Sequence, residues 1–195
     1  MVTKILELIF DFGSPNAYLA MKALPELLDR SGADLVITPC LLGGIFKATG
    51  NKAPMIQYAD APAKLAYENL EMRRFIEKHR LNKFRLNPHF PVNTLTIMRG
   101  AIVAADEGTL DDYIDAVNRA MWEDGLKMDD PETVAAFLSA NGFDGPALLA
   151  HIGTEPRAFK EQFSNLYGWA YGQLFTTAGA PGADRHTNND VGIFF

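Results

Sequence analysis

The sequence predicts an α/β fold in which a strand–helix–strand unit is followed by a long, almost wholly helical block. Three observations predict it. An apolar, β-leaning run (Ile5, Leu6, Leu8, Ile9, Phe10) gives way at Gly13-Ser14-Pro15 to apolar residues at helical spacing: Tyr18, Leu19, Met21, Leu24, Leu27 and Leu28. A second apolar run containing Val36, Ile37, Leu41 and Leu42 suits a buried parallel strand, and the intervening helix is the crossover such a pair requires. From residue 55 to 153 helical periodicity continues, interrupted by turn signals.

The elements follow in order. A strand is expected from Lys4 to Phe12, a helix from Ala17 to Arg30 and a strand from Asp34 to Leu42. Gly43-Gly44 punctuates the chain and Gly50-Asn51-Lys52-Ala53-Pro54 breaks it again. Leu65, Leu70, Met72, Phe75 and Ile76 place apolar groups at turn spacing before Lys78, whereas two prolines keep Asn87–Pro91 out of any helix interior. Asn93 or Thr94 caps a helix bearing Leu95, Met98, Ile102 and Val103; Thr109 and Asp111 start another bearing Tyr113, Ile114, Val117, Ala120, Met121 and Trp122. Asp129-Asp130-Pro131-Glu132 puts acidic groups at the positive end of a helix dipole with proline just inside, and Asn141-Gly142 stops that helix. Asp144-Gly145-Pro146 opens a short helix ending near Ile152-Gly153.

Ser14 sits at the strand-to-helix turn, with Gly13 permitting the bend and Pro15 at the first helical position. Its hydroxyl either caps the helix or faces outward beside unpaired N–H groups. A strand, a polar turn and a helix N-terminus together favour an anion. Asp11 lies in an otherwise apolar strand end, and Asn16 and Tyr18 add polar groups near the same turn.

Composition narrows the classes. At 195 residues the chain suits one domain with an insertion, and 48% hydrophobic residues supply a sizeable core. A net charge of −6 without a basic stripe argues against nucleic acid as partner. One cysteine excludes an internal disulfide and fits a reducing compartment. No apolar run approaches the roughly 18 residues of a membrane span, so the chain reads as soluble and cytoplasmic.

Asp11-Phe12-Gly13-Ser14-Pro15-Asn16-Ala17-Tyr18 resembles the opening motif of the kappa-class glutathione transferases and the 2-hydroxychromene-2-carboxylate isomerases. These are thioredoxin-like relatives of the bacterial periplasmic disulfide oxidoreductases. Pro39–Asn51 is similar to the loop after that family's second strand, and Phe90-Pro91-Val92-Asn93-Thr94-Leu95, followed by Met98-Arg99, to the lead-in of a cleft-lining helix. The resemblance implies a thioredoxin-like fold interrupted by an all-helical insertion: residues 1–52 forming its N-terminal part, 53–153 the insertion, 154–195 an atypical remainder. In that remainder two alignments stand open. Gly179-Ala180-Pro181 resembles the family's cis-proline turn, which makes Pro181 a candidate for binding glutathione; alternatively Thr187–Phe194 resembles the stretch before that turn. Either way the C-terminal half is divergent or incomplete.

The resemblance further implies glutathione as cofactor and Ser14 as the catalytic residue. Where the oxidoreductases carry Cys-x-x-Cys this turn has Ser14 and Ala17, so dithiol exchange is excluded and a hydrogen bond to a borrowed thiolate replaces it. Glutathione's thiol, with a pKa near 8.5, is mostly protonated at neutral pH; a hydroxyl at a helix N-terminus favours its charged form. In the isomerases the thiolate adds reversibly to a conjugated double bond, which rotates as a single bond before the thiolate leaves. Lys47 is the candidate anchor for a small aromatic carboxylate substrate, Asn51 a second polar contact, and Phe46, Phe90 and Met98 the wall of an aromatic pocket. The function implied is isomerisation of 2-hydroxychromene-2-carboxylate to trans-o-hydroxybenzylidenepyruvate, or of a similar intermediate of aromatic catabolism. The alternatives are a kappa-type transferase and a non-catalytic thioredoxin-like binding protein. Relatives are commonly homodimers.

Other residues point to no chemistry. Cys40 reads as an inert buried thiol. His79, His89, His151 and His186 lack metal-ligand spacing, and Arg73, Arg74 and Lys78 form a solvated helix face. Gly43-Gly44 lacks the remainder of a nucleotide-binding fingerprint.

Overall fold

The computed structural model describes residues 4–154. Strand β1 (Lys4–Phe10) leads through the Ser14 turn into helix α1 (Pro15–Ser31) and strand β2 (Ala33–Pro39). The strands pair in parallel, from Lys4 opposite Ala33 to Phe10 opposite Pro39, with α1 as the crossover. α1 starts on Ser14 and stops at Gly32, whose φ of 62° is the left-handed conformation that glycine adopts without strain. Pro25 lies inside α1 on its exposed side.

The second strand ends sooner than its apolar residues suggest. Pro39 has no N–H to continue a ladder, and Cys40 N–H makes a last bond to Phe10 O at 2.8 Å. The chain then turns straight into helix α2 (Leu42–Thr49). Gly43 and Gly44 are therefore helical and do not break the chain, although two glycines cost a helix about 1 kcal/mol each relative to alanine. What overrides propensity is tertiary: the Leu42 N–H is held by the carboxylate of Asp11 at 2.6 Å, and Gly44 and Ile45 N–H both bond to Leu41 O. Gly50, with φ 68°, ends the helix.

The remaining elements are helices: α3 (Pro54–Gln57), α4 (Pro62–Lys78), α5 (Leu95–Asp106), α6 (Leu110–Trp122), α7 (Pro131–Ala140) and α8 (Gly145–Thr154). α7 and α8 start as expected, with Asp130 accepting from Thr133 N–H and Asp144 from Ala147 N–H. Thr94 and Thr109 stand at the cap positions of α5 and α6, but neither caps with its side chain. Asn93 instead accepts from Leu95 N–H at 3.1 Å, while the Thr94 hydroxyl goes to Asp11.

One core joins the sheet to the helical block. Leu8, Phe10 and Phe12 pack into the same cluster as Tyr18 of α1, Ile97 and Met98 of α5, Tyr113 and Trp122 of α6, Val134 and Leu138 of α7, and Ile152 of α8. Met98 is thus core and not a pocket wall. α4 buries no side chain fully; Met72, Phe75 and Ile76 lean on the core and Arg73, Arg74 and Lys78 face water. α5 and α6 approach closely at Gly100, where a methyl group would overlap the Tyr113 hydroxyl that donates to Ile97 O at 3.0 Å. Pro181, His186 and both proposed alignments of the C-terminal remainder lie outside the described residues.

Gly100→Ala is expected to destabilise the protein by about 1–3 kcal/mol through overpacking, whereas Gly43→Ala, with open space around its Cβ, raises stability by up to about 1 kcal/mol. Urea midpoints of the two variants check the contrast.

Candidate active site

The site is built on the four residues that leave β1. Ser14 N–H donates to Asp11 O at 3.0 Å and closes a tight turn, and Tyr18 N–H to Ser14 O begins α1. The Ser14 side chain caps the helix: its Oγ accepts from Ala17 N–H at 3.2 Å, and the residue is 5% exposed. Of the two positions open to this hydroxyl, the capping one is realised. Accepting leaves the hydroxyl's own hydrogen available to donate, because a serine carries one donor and two acceptor sites. Gly13 sits in a close fit: a Cβ there would lie 3.2 Å from Thr94 Cγ2 and 3.3 Å from Asp11 Oδ1.

Asp11 organises this turn. Its Oδ1 accepts from Gly13 N–H (2.7 Å) and the Thr94 hydroxyl (2.8 Å), and its Oδ2 from Leu42 N–H (2.6 Å). It is only 4% exposed. Burial pushes its carboxyl above the usual aspartate value, and the three donors oppose that shift without cancelling it. The starts of α2 and α5 thereby meet beside that of α1, with their positive dipole ends around one carboxylate. On the other side, Trp122 Nε1–H donates to Phe12 O at 3.0 Å and pins the turn to the end of α6.

Neighbouring groups are committed elsewhere. The Tyr18 hydroxyl donates to Glu123 at 3.0 Å, so it serves the α1–α6 seam and not the Ser14 turn; burial and Glu123 hold it above the ordinary phenol range. Cys40 is 5% exposed, and burial, followed by the Asp11 charge, pushes its thiol up to about 11. It is the inert thiol that its position suggested.

The other candidate residues lie at various depths. Phe46 is half-buried and Lys47 exposed, both in the latter half of α2, with Lys47 in its last turn. Asn51 is exposed beyond the Gly50 cap, and its Oδ1 accepts from Lys52 N–H at 2.9 Å. Phe90 is half-buried, 6.0 Å from the Trp122 ring; Phe84 stacks on the other contact of that ring at 6.0 Å and 21°. A cavity of about 540 Å³ lies elsewhere, among α5, α6, α8 and the turn joining α7 to α8, bordered by Glu107, Asp112, Arg119, Asn141 and His151. None of Ser14, Phe46, Lys47, Asn51 and Phe90 lines it.

Two contributors to the turn escape a reading of spacing alone. Thr94 looks like a helix cap and serves Asp11, 83 residues away; Trp122 looks like an ordinary apolar position of α6 and carries the bond to Phe12. Asp11 itself was visible as a polar group in an apolar strand end, the one signal that its partners had to come from elsewhere.

A parallel βαβ unit, a polar turn heading its crossover helix and a helical insertion after the second strand define a thioredoxin-like α/β protein. The profile of the DSBA-like thioredoxin domain matches residues 5–164, and the chain belongs to that family. It is similar to a solved structure of the selenomethionine form of 2-hydroxychromene-2-carboxylate isomerase (HCCA isomerase), with 24% identity, a TM-score of 0.66, and coverage of 87% of this chain and 80% of that one. At this identity the likeness speaks for the fold. No curated protein matches the sequence. Among the described residues no helix is long and apolar enough to cross a membrane.

With its native value near 11 against 9.0 for an unhindered thiol, Cys40 contributes stability below about pH 9 that is lost as pH rises through 11. Alkylation at pH 8 should accordingly be roughly a hundredfold slower in native than in urea-unfolded protein, read by mass spectrometry of the single cysteine.

Proposed function

We propose that the protein is a glutathione-dependent isomerase of 2-hydroxychromene-2-carboxylate, or of a similar small aromatic carboxylate, acting in the reducing cytoplasm. The observation that carries this reading is the Ser14 hydroxyl: it is fixed at the head of α1 by accepting Ala17 N–H, which leaves its hydrogen to donate. The donor set suits an anionic sulfur. It offers one O–H at a helix N-terminus, in a turn with no cysteine able to form a disulfide, and the sole cysteine in the sequence is the inert Cys40. When bound, glutathione supplies the thiolate nucleophile.

The chain's residues do the rest. Ser14 donates to the sulfur and favours its charged form. Lys47 attracts the substrate carboxylate as a point charge on a flexible stem, with Asn51 offering its amide nearby. Phe46 and Phe90, each half-buried, present apolar surface to an aromatic ring. The likeness of fold to an HCCA isomerase supports the choice of reaction over the many others that thioredoxin-like proteins perform.

Ultraviolet monitoring of chromene-carboxylate isomerisation, with and without glutathione, tests the reading. Turnover should require glutathione and fall about 10²-fold or more in Ser14→Ala, the usual loss when one donor to a reacting anion is removed. Equal turnover in wild type and Ser14→Ala would remove Ser14 from the mechanism. Lys47→Ala should raise KM for the carboxylate about tenfold with little change in kcat.

A further inference from the structure

Among the described helices two kinds of start carry a side-chain hydrogen bond of particular interest. α1, α7 and α8 are capped by the residue just before them: Ser14, Asp130 and Asp144 each accept an N–H three positions on. α2 and α5 have no side-chain cap of their own at the preceding residue. Leu42 N–H at the head of α2 and the Thr94 hydroxyl at the head of α5 both go to Asp11, 31 and 83 residues away. A local cap stabilises one helix; a tie from its head to a remote residue also fixes where that helix stands relative to its partner.

The chemistry of the partner matters. Two N–H groups and one O–H converge on Asp11, and only an acceptor-only group satisfies all three. α2 has most need of the tie. Leu42, Gly44, Ile45 and Phe46 are half-buried and Gly43 and Lys47 exposed, so packing grips this helix lightly.

From this we infer that Asp11 is a positioning residue: its Oδ2 tethers α2, with Phe46 and Lys47, to the Ser14 turn, while its Oδ1 holds Gly13 and Thr94. The inference rests on the proposed function, because it holds the thiolate donor and the carboxylate anchor in one relation through a single side chain. Asp11 touches no substrate and acts through Leu42 and Gly13.

Two variants test the tether. Asp11→Asn keeps a carbonyl oxygen for Gly13 and Thr94 but sets an NH₂ against the Leu42 N–H, donor facing donor. Leu42→Pro removes that N–H at the first helical position, where proline is tolerated, and leaves Asp11 and its charge in place. In both, amide exchange at Gly44 and Ile45 should quicken about tenfold or more while Leu138 in α7 is unchanged. KM for the chromene carboxylate should rise about tenfold with kcat within about threefold, a split that general destabilisation does not produce. Unchanged exchange at Gly44 and Ile45, or equal acceleration at Leu138, overturns the inference. Should Asp11→Asn not fold, Leu42→Pro decides alone. Should wild type show no isomerisation, the proposed function fails and the exchange result still decides whether Asp11 tethers α2.

Discussion

Three hydrogen-bond donors from three parts of the chain meet on the carboxylate of Asp11, and the arrangement of the whole N-terminal end follows from satisfying them. Removing a carboxylate from water costs several kcal/mol, and hydrogen bonds to a charged group return about 1.5–3 kcal/mol each. Each donor offsets part of that cost, and the offset is largest when all three are present together. The close fit at Gly13, the start of α2 at Leu42 and the inward hydroxyl of Thr94 all serve that meeting. The raised carboxyl value records that burial still outweighs the donors.

That constraint explains how a helix rich in glycine forms directly after a strand and why a threonine at a cap position does not cap. It also gives the Ser14 turn its rigidity. The turn is held from below by Asp11, from within by its own N–H bond to Asp11 O, and from the side by Trp122. The proposed donation from this hydroxyl to an anionic sulfur depends on such placement in advance, the condition for electrostatic stabilisation to be effective. The α1–α6 seam, where Tyr18 meets Glu123 and Lys22 pairs with Asp115, fixes the helix that the turn heads.

Much of the fold was legible because its signals are local. Ser14, Asp130 and Asp144 cap within three residues, Gly32, Gly50 and Gly142 take positive φ at helix ends, and the prolines at 88 and 91 interrupt helix regardless of context. The candidate site was legible only at its centre. Ser14 announced itself by strand, glycine and proline around it. The Tyr18 hydroxyl, one turn on from Ser14 in sequence, pairs with a glutamate 105 residues away, a partner that no local signal announces. An apolar residue at helical spacing, such as Met98, looks the same whether it faces a cavity or a core.

The sequence by itself determined the α/β class, the parallel pair and its crossover, the starts of α1, α7 and α8, and the absence of dithiol chemistry, since each depends on residue types a few positions apart. Tertiary structure decided the end of β2, the helical state of Gly43 and Gly44, the duty of Thr94 and the depth of Ser14. Those outcomes turn on one buried carboxylate whose partners lie up to 83 residues distant, and no periodicity carries information over that separation.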